Sequence, residues 1–125
     1  AGGFQGTPEK IVSGGPMMGF AMFTLDVPVT KTSSSILCMT KDEVAKYEPS
    51  ACINCGRCIE ACPSRLIPSR LADYAERHDE AAFEKEFGVE CMECGSCSYV
   101  CPAKRQLKQA ISSMRKTVLA NRKKK

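Results

Sequence analysis

Two cysteine runs constrain this chain more than anything else in it. Residues 52–63 read Cys-Ile-Asn-Cys-Gly-Arg-Cys-Ile-Glu-Ala-Cys-Pro, and residues 91–102 read Cys-Met-Glu-Cys-Gly-Ser-Cys-Ser-Tyr-Val-Cys-Pro. Each is C-x2-C-x2-C-x3-C-P, the run that sets four thiolates for [4Fe–4S] clusters. Two intervening residues let a tight turn offer successive sulfurs to three irons. Gly56 and Gly95 follow the second Cys of each run, where the backbone is expected to bend close to a sulfide. Three intervening residues make about one helical turn, so Cys62 and Cys101 point away from the first three. Where two such runs share a domain, the fourth Cys ligates the other cluster. The expected ligand sets are therefore Cys52, Cys55, Cys58 and Cys101 for one cluster, and Cys91, Cys94, Cys97 and Cys62 for the other. Pro63 and Pro102 redirect the chain after each crossing ligand.

Eight of the nine Cys lie in these runs. Zinc sites show separate Cys pairs, and disulfide scaffolds belong to secreted chains; neither pattern fits. No signal-peptide pattern is present, so a reducing compartment is expected. The ninth thiol, Cys38, is expected to be a buried small apolar residue. His78, the one histidine, is expected to be structural, on the apolar side of a helix or at its end. No nucleophile and base are arranged together, so no catalytic residues are expected. Ile53, Ile59, Met92, Tyr99 and Val100 are expected to form an apolar shell around the sulfurs.

A chain of 125 residues is about one ordinary domain. With no Trp and eight other aromatics, its core needs a further staple, which clusters would supply. Residues 10–13, 20–25, 27–31 and 34–39 are strand candidates. The Gly-Gly-Pro-Met-Met-Gly stretch at 14–19 fits neither G-x-G-x-x-G nor a P-loop, and is expected to be a structural turn with two packing Met. Thr40 and Glu43 suggest a capping box opening a short helix that ends near Glu48 and Pro49. Pro68 suits a helical first turn, with Ile67, Leu71, Tyr74, Ala75 and His78 at helical spacing. A continuation or second helix runs over 79–87, with Ala82, Phe83 and Phe87 as its apolar face and Gly88 as its stop. Leu107, Ala110, Ile111, Met114 and Val118 make a stripe on a last helix, before residues 121–125 fray. The expected fold is α+β and mainly α: a small β segment over 1–40, the end of an upstream region, and a helical two-[4Fe–4S] ferredoxin-like domain over 41–125.

Charge is uneven. Residues 104–125 hold nine Lys or Arg and no acid, whereas residues 1–103 hold nine basic and fourteen acidic residues. The basic end is expected to be a solvated helix terminus, with docking to an acidic partner or an anionic membrane surface as the other reading. Nucleic acid is not expected, since no aromatic stacking platform accompanies the charges. No apolar stretch is long enough to span a bilayer.

The residues at 14–19, the Leu-Asp-Val-Pro-Val-Thr-Lys at 25–31 and the two Cys runs with a helical insert together resemble the C subunit of the Rnf electron transport complex. The Cys runs alone are common to many ferredoxin-like modules; the segments at 14–19 and 25–31 narrow the choice. The resemblance implies a peripheral subunit on the cytoplasmic face of the bacterial inner membrane. It implies other members of the complex as partners, and electron exchange between NADH and ferredoxin coupled to Na⁺ or H⁺ movement. It implies FMN and NADH for the full-length subunit only, through a glycine-rich segment upstream. The chain opens Ala-Gly-Gly-Phe without an initiator Met, which fits Met removal before Ala1 or a start inside a larger polypeptide, the opening reading like the middle of a domain. Two other readings stand beside it: the iron–sulfur subunit of another dehydrogenase or reductase, and a redox-sensing or nucleic-acid-binding module.

Overall fold

The computed structural model describes residues 2–124, and the chain divides into two compact units, 1–48 and 49–125.

The first unit is a small antiparallel sheet. Strands β1 (Lys10–Ser13), β2 (Phe20–Ala21) and β3 (Ile36–Met39) lie in the order β2-β1-β3. β1 pairs Val12 with Ala21 on one side and with Leu37 on the other. Of the four strands expected, the second shrinks to two residues and the one at 27–31 does not form. Side-chain oxygens capture the backbone there instead: Asp26 N–H donates to Thr24 Oγ1 and Thr30 N–H to Ser33 Oγ. The segment at 14–19 is a structural turn. A Cβ at Gly19 would stand 2.6 Å from the Ser13 and Gly15 carbonyl oxygens, and Gly14 has φ +98°. Met17 and Met18, expected to pack, are exposed. Cys38 is exposed as well, because β3 is an edge strand and Cys38 falls on its open face. Val12 is the buried apolar residue of this unit.

No helix starts at Thr40. Asp42 does the capping, accepting from Val44 N–H and Ala45 N–H, and only one 3₁₀ turn follows, Val44–Lys46. Asp42 also accepts from Lys10 Nζ at 3.1 Å, which holds its carboxyl below the usual range, and its N–H donates to Glu9. These bonds keep residues 41–48, expected with the helical part, beside the sheet.

The second unit is helical: α1 (Arg57–Glu60), α2 (Pro68–Glu76), α3 (Glu80–Lys85), α4 (Ser96–Tyr99) and α5 (Leu107–Arg122), with a 3₁₀ turn at Gly88–Glu90. Its core is the apolar stripe of α5 packed on α2 and α3. Leu107, Ile111, Met114 and Val118 are buried against Leu71, Ala72, Ala75 and Phe83. Burying each large side chain contributes about 1.5–3 kcal/mol. Pro68 occupies the first turn of α2, where its missing N–H costs nothing.

The helical stretch breaks between α2 and α3. His78 stands just past the end of α2, one of the two places expected, exposed and left-handed (φ +56°), and Asp79 caps α3 by accepting from Ala82 N–H. Gly88 does not end α3 as a left-handed residue. Phe87 does that with φ +58° and is 68% exposed, so it leaves the expected apolar face. Gly88 is glycine because a Cβ there would sit 2.4 Å from the Phe83 ring. The basic end is a full helix to Arg122. Asn121 donates to Glu80 and Arg122 pairs with Glu84 at 2.9 Å, so the helix is tied to α3 where fraying was expected.

Ser112 Oγ is buried with no hydrogen-bond partner among the described residues. Ser112→Ala should therefore stabilise the protein by about 1 kcal/mol. A higher urea midpoint at unchanged slope would show it.

Candidate metal centres

The two runs fold as copies of one another, thirty-nine residues apart from Cys52 to Cys91. Each helical turn, α1 and α4, begins at a left-handed glycine: Gly56 at φ +76° and Gly95 at φ +84°. A Cβ on Gly56 would meet nothing within 4 Å. Within the protein, the glycine's role is its dihedral. Asn54 and Glu93 share a positive φ before the second Cys, and Arg65 and Lys104 share one after the fourth. The hydrogen bonds repeat too. Cys62 N–H donates to Ile59 and Cys101 N–H to Ser98; α2 and α5 then start at equivalent places. Ser50 N–H donates to the Ala103 carbonyl at 2.9 Å, closing one run against the other.

This copying sorts the eight thiols. One cavity is lined by Cys52, Cys55, Cys58 and Cys101, together with Arg105 and Leu107. A second is lined by Cys62, Cys91, Cys94 and Cys97, together with Glu93, Lys108 and Leu66. Each run thus sends its fourth Cys to the other run's cavity. Among the described residues, no three of His, Cys, Asp or Glu converge as a site for a single metal ion. Four thiols spaced around a cavity suit a four-iron cube, whose ligands stand on separate corners.

The thiols differ in setting. Cys52 and Cys55 are exposed, Cys97 is buried, and the other five of the two runs are half-buried. Burial pushes the Cys97 thiol up to about 11, opposed by hydrogen bonding from Ser98. Burial also raises Cys91, against the Glu93 N–H that donates to its sulfur at 3.4 Å. Cys94 is lowered by hydrogen bonding with Ser96. With no cluster bound, Cys97 is only about one part in a thousand thiolate at pH 8. Iodoacetamide at pH 8 should therefore label Cys94 well before Cys97, as read by peptide mass spectrometry.

The expected apolar shell is only partly there. Ile53 and Ile59 line the first cavity and Met92 the second, but all three also face solvent. Tyr99 and Val100 line neither, and Tyr99 is 78% exposed. Leu66, Leu71, Leu107 and Ile111 supply apolar wall instead. They belong to the segments after each run; helical periodicity signalled Leu71, Leu107 and Ile111, and nothing in the sequence signalled Leu66.

The 4Fe-4S dicluster domain family matches residues 51–105. Over 98% of its length the chain is 46% identical to the C subunit of the Na(+)-translocating ferredoxin:NAD(+) oxidoreductase complex of Acetobacterium woodii. The chain is similar to Rnf C subunits along nearly its whole length. It is 48% identical over 70% of its length to the proton-translocating counterpart in Clostridium ljungdahlii, and 43% identical over 88% to the C subunit of the ion-translocating oxidoreductase complex of Methanosarcina acetivorans. It spans 28%, 19% and 25% of those three proteins.

The residues of this chain fit iron–sulfur ligation. Thiols are the donors in both cavities, and the left-handed glycines let each run curl around its site. Among the described residues, no helix is long and apolar enough to cross a membrane. Three of the nine cations of the basic end form ion pairs within the unit: Arg105 with Asp73 and Glu76, Arg115 with Glu93, Arg122 with Glu84.

Proposed function

We propose that this chain holds two [4Fe–4S] clusters, one on Cys52, Cys55, Cys58 and Cys101 and one on Cys62, Cys91, Cys94 and Cys97, and relays electrons within a membrane-associated NADH–ferredoxin oxidoreductase complex. The observation that carries this reading is the four-and-four division of the thiols between two cavities, with the fourth Cys of each run crossing over. Bound clusters would supply reversible one-electron chemistry.

The protein's own contribution is to hold and insulate. The left-handed residues at 54, 56, 93 and 95 turn the backbone so that neighbouring thiols face one site. Leu66 N–H donates to Cys62 Sγ at 3.4 Å and Glu93 N–H to Cys91 Sγ, and such bonds favour the thiolate. Leu71 and Ile111 keep water from the second site, whereas the first is open at Cys52 and Cys55. No proton transfer or bond making is required of any side chain. FMN and NADH belong, on this reading, to the full-length subunit and to none of these residues. The other members of the complex are the partners, and the chain sits peripherally on the cytoplasmic face of the membrane. Engagement of Arg105, Arg115 and Arg122 with internal carboxylates weighs against nucleic-acid contact.

Iron and acid-labile sulfide analysis tests the reading directly. About eight of each per chain are expected, with EPR signals on reduction. A single zinc per run, or clusters that cannot be reduced, would refute it.

A further inference from the structure

The two runs hold the same turn by different means. With Cys52 matched to Cys91, Asn54 matches Glu93, each two residues past the first Cys of its run. Both are left-handed, at φ +54° and +58°. Asparagine adopts that conformation readily, and glutamate does not. In the first run the ties are a local side chain and a backbone bond. Cys52 Sγ donates to Asn54 Oδ1 at 3.7 Å, and Ser50 N–H donates to the Ala103 carbonyl at 2.9 Å.

In the second run a tie comes from α5. Arg115 Nε donates to the Val89 carbonyl at 2.8 Å, and its Nη1 donates to Glu93 Oε1 at 3.2 Å. Val89 lies two residues before Cys91 and Glu93 two residues after it, so one guanidinium brackets the ligand. The fork suits this task, because its nitrogens are held in one rigid plane. Arg115 and Glu93 side chains are 31% and 25% exposed, which shields the pair from full screening. The effect reaches the sulfur through the backbone. Glu93 lines the second cavity, and its N–H donates to Cys91 Sγ at 3.4 Å. Holding the Glu93 side chain holds the peptide that makes this bond. The position matching Arg115 is Glu76, a carboxylate that accepts from Arg105 and offers no such fork to the first run.

We infer that Arg115 is a positioning residue for the site built on Cys91, Cys94, Cys97 and Cys62: it clamps the two flanks of Cys91 and fixes the turn that presents this thiol to the cluster. This rests on the two-cluster reading above. Arg115 is not a ligand, and it acts on the second site alone.

The holoprotein tests this by loss of each cluster to EDTA, followed by EPR after reduction, with the signal displaced by Cys94→Ser marking the second site. Arg115→Gln should speed loss of the second cluster about tenfold, as expected when a group that orients a ligand is removed. Its EPR line should broaden, and the first cluster should keep its parent rate and line shape. Glu93→Asn leaves α5 untouched and puts the residue of the first run, at ease with positive φ, where its side chain is too short for Arg115. It should also speed loss of the second cluster. Glu93→Gln keeps an oxygen acceptor at full length and should restore the parent rate, which a contribution from charge alone would not allow. Equal acceleration of both clusters, a parent rate in Glu93→Asn, or loss in Glu93→Gln as fast as in Glu93→Asn would overturn the inference. Iron and sulfide for fewer than two clusters in the parent protein would instead overturn the two-cluster reading, and the role of Arg115 with it.

Discussion

Cys101→Ala should abolish the cluster built on Cys52, Cys55 and Cys58, and leave the cluster nearest to Cys101 in sequence intact. The expected readout is loss of one EPR signal and of about half the iron. Cys62→Ala should do the converse, sparing the cluster of its own run. The reason lies in the turn between the third and fourth Cys. In each run that stretch is a single helical turn, with Ala61 N–H bonded to Arg57 and Val100 N–H bonded to Ser96. The turn carries the fourth thiol round to the opposite side, where the other run's cavity opens. Cys101 reaches the first cavity with Pro102, Ala103 and Arg105 behind it, all of which line that cavity. A cube left with three thiolates and one open corner is exposed to water and to chelators, so the loss should be near complete in air. Selective loss of the signal from Cys91, Cys94 and Cys97 would refute the crossed arrangement. Equal loss of both signals would show that Cys101 holds the fold as a whole.

The proposed crossing was expected from spacing, since x2 keeps thiols together and x3 turns one away, and the linings of the two cavities group the thiols in the same way. The helix stripe of α5 is legible for the same kind of reason, since period and burial agree at Leu107, Ile111, Met114 and Val118. The departures from expectation have a common physical cause. Thr40 and Glu43 satisfy a local capping pattern, but Lys10 and Glu9, more than thirty residues away, fasten Asp42 to the sheet. The last five residues carry four cations and look like a fraying end, but Glu80 and Glu84 on α3 hold the helix at Asn121 and Arg122. Phe87 fits an apolar face on periodicity, but α3 stops short of it and turns it outward. The first two outcomes depend on a partner distant in sequence, which no window of periodicity contains, and the third on where a short helix stops. Arg105 also depends on a distant partner. In the sequence its charge belongs to a basic tail, and only the pairing of α2 with α5 places it beside the first cavity.

Phe83→Ala should cost about 3–5 kcal/mol, a large share of the stability of a domain this small. Phe83 is fully buried, on a helix of only six residues that could not persist unaided. Its ring is the floor on which Gly88 lies, and the turn Gly88–Glu90 leads straight into Cys91. The substitution therefore acts on a ligand through two steps of packing. Loosening the ring frees the turn, and the turn frees the backbone of Cys91. The cluster on Cys91, Cys94, Cys97 and Cys62 should then be lost to a chelator faster than the other, which has no ligand beside this turn. Gly88→Ala probes the same contact from the opposite side. Its Cβ would stand 2.4 Å from the ring, so it should cost about 1–3 kcal/mol through overpacking. Because the two residues touch, the effects should not add. Gly88→Ala combined with Phe83→Leu should be less destabilised than the sum of the single changes, since the smaller side chain makes room for the methyl group. Strict additivity in urea melts, or equal chelation rates for both clusters in Phe83→Ala, would rule out this route from the core to Cys91.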